Sequence, residues 1–599
     1  MVGRWVALLF TLGCAAAWAQ APAASGFIVK LRPGTTLREA PSAARERLAA
    51  VARANGVDTV EQRALGGSHH VLRLARPVQG AALDATLRRL RLHPDVAAVE
   101  PDVRETARLV PNDPDFVAQQ WHLQVPGVNA AAINMPPAWD RSTGGNNVIA
   151  ILDTGVRFTH PDLQGRLLSG YDFVSEVEFA NDGDGRDADA SDPGDWVTNT
   201  ESRSGVFAGC QPENSSWHGT FIAGQLAALT NNALGVAGVS WGARVLPVRI
   251  SGKCGALLSD ILDGIRWAAG LAVAGVPTNP NPARIINLSF GGSVACSSSY
   301  QDVIDEITAA GSLLVVAAGN EGGTPTRPAD CRGVLSVGAV RADGAKASYS
   351  NLGPAISLVA PGGASSTDSP IYSTGNGGTQ GPSLDNYIVK SGTSFAAPLA
   401  AGVASLMLSV NPALSPAQLL ARLRAGTRAH IVQAQLPTCS VPFGAACNCT
   451  TSTCGSGLLD GALALAQAAN PLVAISAPTT AAPLASVTLD GRSSSAASGA
   501  TIQSYQWTQT AGTAASLRNA NTALASVTLP SQAGSFTFTL RVQDSTGASS
   551  ADSVTISSGS AVSGSTGGSG GGASPLELAA LLLVAALAAL RERRRQGNA

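Results

Sequence analysis

Val148-Ile149-Ala150-Ile151-Leu152-Asp153-Thr154-Gly155 is the stretch from which the rest of the chain can be read. The run 148–152 has no polar face, as expected for a strand buried on both sides of a parallel sheet. It stops at a carboxylate, Asp153, followed by the turn formers Thr154 and Gly155. In open α/β sheets the carboxyl ends of strands are where ligands bind. An acid placed there is a candidate for chemistry.

Working outward, the same texture recurs at Ile285-Ile286-Asn287-Leu288, Leu313-Leu314-Val315-Val316-Ala317 and Val334-Leu335-Ser336-Val337. Helical spacing appears between these runs, over 257–269 and 303–310. Strands alternating with helices predict an α/β fold, a doubly wound, mostly parallel sheet, over residues 109–469. Upstream, 20–108 reads as strand, helix, strand, helix, strand: Phe27-Ile28-Val29-Lys30-Leu31, 43–55, His70-Val71-Leu72-Arg73-Leu74, 83–92 and Val96-Ala97-Ala98-Val99. That is a small α+β unit, with a cuttable linker at 106–111. Downstream, 470–558 turns to short Ser, Thr and Val runs such as Ser504-Tyr505-Gln506-Trp507-Thr508, the pattern of a β-sandwich.

The two ends carry processing features. Arg4, an apolar run and Ala17-Trp18-Ala19 make 1–19 a signal peptide. Residues 559–575 form a Gly/Ser linker, and 576–599 an apolar helix closed by Arg591, Arg593, Arg594 and Arg595. The 576–590 run spans about 22 Å at helical rise, short of a hydrocarbon core of about 30 Å. A transient inner-membrane anchor fits it, with a lasting anchor as the alternative.

Lys+Arg 40 against Asp+Glu 41 leaves a net charge of −1, which gives no basic footprint for nucleic acid. Beyond the signal, Cys210, Cys254, Cys296, Cys331, Cys439, Cys447, Cys449 and Cys454 form an even set, which in an exported chain points to disulfides. Cys210–Cys254 and Cys296–Cys331 are the expected local pairs, with the last four pairing among themselves. Zinc is the competing reading of that last group, but its spacing does not suit a zinc knuckle.

Two further motifs complete what Asp153 begins. His218 heads His-Gly-Thr before a helical run, and Ser394 lies in Gly392-Thr393-Ser394-Phe395-Ala396-Ala397-Pro398. Serine needs a base within hydrogen-bond reach, and the base a carboxylate to orient it. Each motif alone is weak, but the order Asp, His, Ser is specific. On these residues 109–469 resembles the subtilisin-like (subtilase) family of serine endopeptidases. The resemblance implies Asp153, His218 and Ser394 as the triad and Asn320, in Ala317-Ala318-Gly319-Asn320, as an oxyanion-hole donor. It implies that Ser289, Phe290 and Gly291 pair with an extended substrate, while Ala317, Ala318 and Gly319 wall a roomy apolar pocket. Phe221 and Ile222 depart from the family, which has His-Val there; altered local packing is the expected consequence.

The same resemblance makes 20–108 an inhibitory prodomain, an intramolecular partner, with a permanent accessory domain as the alternative. It implies structural Ca²⁺ held by Asp113, Asp162 and Asn232 and by carbonyls of Leu229, Leu234 and Val236. A second candidate metal site is the acidic loop holding Asp182, Asp184, Asp187, Asp189, Asp192 and Asp195, for which a solvated loop is the alternative. The sandwich resembles a PKD (Ig-like) domain, and the tail a GlyGly-CTERM sorting signal of Gram-negative bacteria. The expectation is a monomeric endopeptidase acting on proteins, secreted or at the surface of a Gram-negative cell. A surface adhesion protein with a vestigial protease fold is the other reading.

Overall fold

Alternate residues of one buried strand must face opposite ways, so a strand apolar throughout feeds two cores. In the computed structural model β5 (Val148–Asp153) does this: Ile149 and Ile151 enter one hydrophobic cluster, Ala150 and Leu152 another. The structure describes residues 24–33, 41–66, 68–103, 109–365, 368–441 and 444–559. The signal peptide, the apolar tail and nearly all of the Gly/Ser linker lie outside them.

Upstream of that strand, β1 (Ala24–Leu31), β2 (Thr59–Gly66), β3 (His69–Val78) and β4 (Val96–Asp102) form an antiparallel sheet of order β2-β3-β1-β4. Helices α1 (Pro41–Ala54) and α2 (Gly80–Leu92) complete the small α+β unit. Strand β2 was not expected. It is polar at Glu61, Gln62 and Arg63 and pairs only with β3, so it carries no apolar run of its own.

The central sheet has seven strands in the order β11-β10-β9-β8-β5-β7-β6, every pair parallel. Its remaining strands are β6 (Tyr171–Asp172), β7 (Arg244–Arg249), β8 (Ile285–Leu288), β9 (Leu313–Ala317), β10 (Leu335–Val340) and β11 (Leu358–Pro361). Helices α3 (His218–Ala227) and α6 (Thr393–Val410) pack in one cluster. Helices α4 (Leu258–Ala268) and α5 (Ser298–Ala309) pack in the other, so the doubly wound reading is borne out. Helix α5 starts five residues earlier than expected, because Ser297 caps it by accepting from Tyr300 N. A hairpin of β12 (Ile371–Asn376) and β13 (Asp385–Lys390) lies immediately before α6 in the chain.

Helix α6 is long and apolar enough to cross a membrane, but 89% of it is buried in the core. The expected disulfides form, with Cys439–Cys447 and Cys449–Cys454 as the remaining pairs, which leaves no free thiolates there for zinc.

The C-terminal unit is a sandwich with a four-stranded and a three-stranded sheet around Trp507, Phe536, Phe538 and Leu540. Strands Ser516–Arg518, Leu524–Thr528 and Ser549–Ser558 were not singled out in the sequence. Their outward positions are mostly Ser, Thr and Arg, with Leu524 an exposed exception, and their inward apolar residues are few.

Candidate active site

Asp153 ends β5, and His218 begins α3. The motif glycine explains how they meet: a Cβ on Gly219 would stand 2.1 Å from the Gly155 carbonyl and 3.1 Å from the Asp153 Cβ. Only glycine lets α3 approach so closely. His218 Nδ1 and Asp153 Oδ1 are then 2.8 Å apart, with Asp153 buried and His218 partly exposed. A carboxylate on Nδ1 leaves Nε2 as the ring's working nitrogen.

The acidic loop supports this pair. Asp195 accepts from Ser216 N and Oγ at 2.6 Å each, and Ser216 Oγ accepts from His218 N at 3.3 Å. Asp192, fully buried, accepts from Thr154 Oγ1 at 2.7 Å, beside Asp153. Burial, with the Asp195 charge, pushes Asp192 up to about 7. Asp182 pairs with the buried Arg249, while Asp187 and Asp189 accept from nearby main-chain N–H groups. The six carboxylates therefore do not converge. Among the described residues, groups of three or more His, Cys, Asp or Glu ligand atoms within 4.8 Å occur only around disulfide-bonded cysteines.

Ser394 lies in the first turn of α6, whose N-terminal N–H groups carry partial positive charge. Pro398 has no N–H, so the Ser394 carbonyl lacks its partner four residues on. Ser289 Oγ supplies the missing donor at 3.0 Å. The Ser394 hydroxyl in turn donates to the Ser289 carbonyl at 3.4 Å, with no hydrogen bond to His218. The rings of Phe290 and Phe395 stand 5.7 and 5.2 Å from the imidazole. Phe221, where the family has histidine, is fully buried against Phe395 at 4.7 Å, so the departure is absorbed as core.

Asn320 follows the loop after β9. Its Oδ1 accepts from Thr393 N and Oγ1, both at 2.9 Å, which leaves Nδ2 as its available donor. A cavity of about 440 Å³ beside it is lined by Ser394, Asn320 and all six expected substrate residues: Ser289, Phe290, Gly291, Ala317, Ala318 and Gly319. It is not the apolar pocket expected, because Glu321 and Arg327 also line it.

The expected calcium residues are brought together. Asp113 accepts from Asn231 N (2.9 Å) and Asn232 N (3.3 Å), and Asn232 Nδ2 donates to Asp162 Oδ1 at 2.8 Å. Leu229 N reaches the Asp162 carbonyl, Val236 N its carboxylate, and Leu234 N the Asn232 Oδ1. Burial pushes both carboxyls up, Asp162 to about 6, with the Asp113 charge adding to it. Two buried carboxylates held this way, without a basic side chain bonded to either, fit a hard divalent cation.

Comparison with known proteins agrees with this geometry. Residues 144–453 match the model of the subtilase family, and 474–557 that of a PKD domain. An extracellular protease of Xanthomonas campestris pv. campestris is 41% identical over 455 residues, covering 74% of this chain and 73% of that protein. An extracellular basic protease of Dichelobacter nodosus is 43% identical, covering 55% of this chain and 53% of its own length. The solved structure of a protease from Pseudoalteromonas arctica PAMC 21717 has 45% identity and a TM-score of 0.54, covering 60% of this chain and all of its own. These relatives support the protease reading and not adhesion. The chain belongs to the subtilase family of serine endopeptidases.

Proposed function

We propose that this subtilase is a secreted enzyme that hydrolyses peptide bonds through an acyl-enzyme on Ser394. His218 Nε2 takes the Ser394 proton as Oγ attacks the scissile carbonyl, and gives it to the leaving amine. Water then repeats the steps to release the acyl group. Asp153 fixes the imidazole's tautomer and supports its positive charge. Asn320 Nδ2 and Ser394 N stabilise the oxyanion; a side-chain donor of this kind is worth roughly 3 kcal/mol. The observation that carries the reading is the 2.8 Å contact of His218 with buried Asp153, the imidazole standing 5.7 Å from Phe290, which lines the cavity together with Ser394 and Asn320.

Replacing Ser394→Ala should lower casein hydrolysis by about 10⁶-fold, leaving oxyanion and binding contributions. Hydrolysis persisting near the parent rate would defeat the assignment.

The small N-terminal unit acts in this reading as an intramolecular inhibitor removed on maturation, and export is supported by the four disulfides. The C-terminal tail serves as a transient inner-membrane sorting anchor. Asp113, Asp162 and Asn232, with main chain of Leu229, Leu234 and Val236, hold Ca²⁺, which supplies charge neutralisation and pins the segment at 113 to the body. EDTA should lower the melting temperature by several degrees, about 1–2 kcal/mol for a domain of this size. An unchanged melting temperature would remove the ion from the account.

A further inference from the structure

Lys346 is 1% exposed, and among the described residues no carboxylate lies within ion-pair distance of it. Its ammonium sits instead in a ring of main-chain carbonyls, those of Ala347 (2.8 Å), Ser348 (3.1 Å) and Ser350 (2.8 Å). Burying an unpaired cation is costly, and here burial pushes the ammonium down to about 8. A cation ringed by carbonyl oxygens is how proteins bind a metal ion; this one is tethered to the chain.

The ring closes the 347–351 turn, and that turn grips the segment carrying Asn320. Asn351 Oδ1 accepts from Glu321 N (3.2 Å) and Gly323 N (2.8 Å). Its Nδ2 donates to the Ala318 carbonyl (3.1 Å) and Glu321 Oε2 (2.7 Å), and its N to the Gly319 carbonyl (3.0 Å). The Tyr349 carbonyl accepts from Gly322 N at 2.7 Å. Its hydroxyl stands 2.6 Å from the Gly363 carbonyl and 2.8 Å from that of Gly362, which also receives Gly392 N (3.0 Å), two residues before Ser394. The Asn320 segment is thus bonded directly to this turn, and the Ser394 segment reaches it through the Gly362–Gly363 main chain.

We propose that Lys346 is a positioning residue for catalysis: its caged ammonium holds the 347–351 turn, which through Asn351 sets the Asn320 amide in place beside Ser394. This rests on Asn320 being an oxyanion donor. A neutral side chain would leave the buried Ser350 carbonyl without its donor, whereas the Ala347 carbonyl keeps Ser350 N (3.0 Å) and Ser348 is exposed; the turn would open at Ser350 to find another donor.

The test is a double-mutant cycle on enzyme prepared from the full chain, with kcat and KM read on a peptide anilide and folding checked by near-UV circular dichroism. Asn320→Ala alone should lower kcat by about 10²–10³-fold. Lys346→Met should lower kcat by at least about 10-fold with little change in KM, and Lys346→Arg should restore most of it. In the Asn320→Ala background the Lys346→Met loss should shrink to within about 2-fold, since the donor it positions is gone. A folded Lys346→Met enzyme with parental kcat, or an equal loss in both backgrounds, overturns the proposal. An Asn320→Ala enzyme of parental kcat removes the oxyanion reading instead, and this proposal with it. Should Lys346→Met fail to fold, Asn351→Ser cuts the next link with the cage intact. The same Asn320-dependent kcat loss then supports the proposal, and an unchanged kcat overturns it.

Discussion

The two limbs of the active site are built by opposite means. The acid–base limb, Asp153 and His218, is braced by ionisable groups: Asp195 holds Ser216 and Asp192 holds Thr154, both from one acidic loop. The oxyanion limb, Asn320 and Ser394, is braced directly by hydroxyl, amide and main-chain groups of Thr393, Ser289 and Asn351, with the Lys346 ammonium behind the turn. The first limb must hold a charge that appears on the imidazole during the reaction, so nearby carboxylates serve it. The second must meet a negative charge on the substrate, so hydroxyl, amide and main-chain dipoles hold its donors, and the carboxylate of neighbouring Glu321 accepts from Asn351 Nδ2 at 2.7 Å. The difference also appears in the hydrogen bonds. The first limb is already paired at 2.8 Å, whereas the Ser394 hydroxyl rests on the Ser289 carbonyl and must turn to reach the base.

Apart from loss of the nucleophile itself, breaking the first limb should cost most. Asp153→Asn keeps the shape but can stabilise the wrong imidazole tautomer, and kcat should fall by about 10⁴-fold. A loss below 100-fold would mean that the carboxylate is not what orients His218. Ser394 itself aside, the second limb yields less to a single change. Ser289→Ala removes the donor that compensates for Pro398 and leaves the Ser394 carbonyl unpartnered, a destabilisation of about 1–3 kcal/mol by thermal or urea unfolding. Unaltered stability would show that water or another donor fills the place. Together the two variants sharpen the contrast, one acting chiefly on rate and the other chiefly on stability.

Much of this was legible in the sequence, for physical reasons that can be located. The strand 148–152 is apolar on both faces because two cores press on it, so its class could be read without knowing its neighbours. Asp153, His218 and Ser394 each sit at a junction of strand or helix with loop, and at the first two Gly155 and Gly219 mark a forced close approach. The missed elements lack such local signals. Strand β2 is a polar edge, and three sandwich strands hide their few inward residues among Ser and Thr. The role of the acidic loop was read as a question of metal, because crowded carboxylates look alike in a sequence whatever they bond. Its bonds to Thr154 and Ser216 cross 38 and 21 residues. The Ser289 contact that answers Pro398 crosses 105. The pocket was expected to be apolar from Ala317, Ala318 and Gly319, but Arg327 and Glu321 enter from a loop that those residues do not announce.

The account depends most on Ser394 being a nucleophile made reactive by His218. Treatment with phenylmethanesulfonyl fluoride followed by peptide mass mapping measures this directly. The parent enzyme should carry one sulfonyl group, on the peptide containing Ser394, with activity lost in step. The His218→Ala enzyme should label far more slowly. Labelling on another serine, or equal labelling without the imidazole, would contradict the assignment.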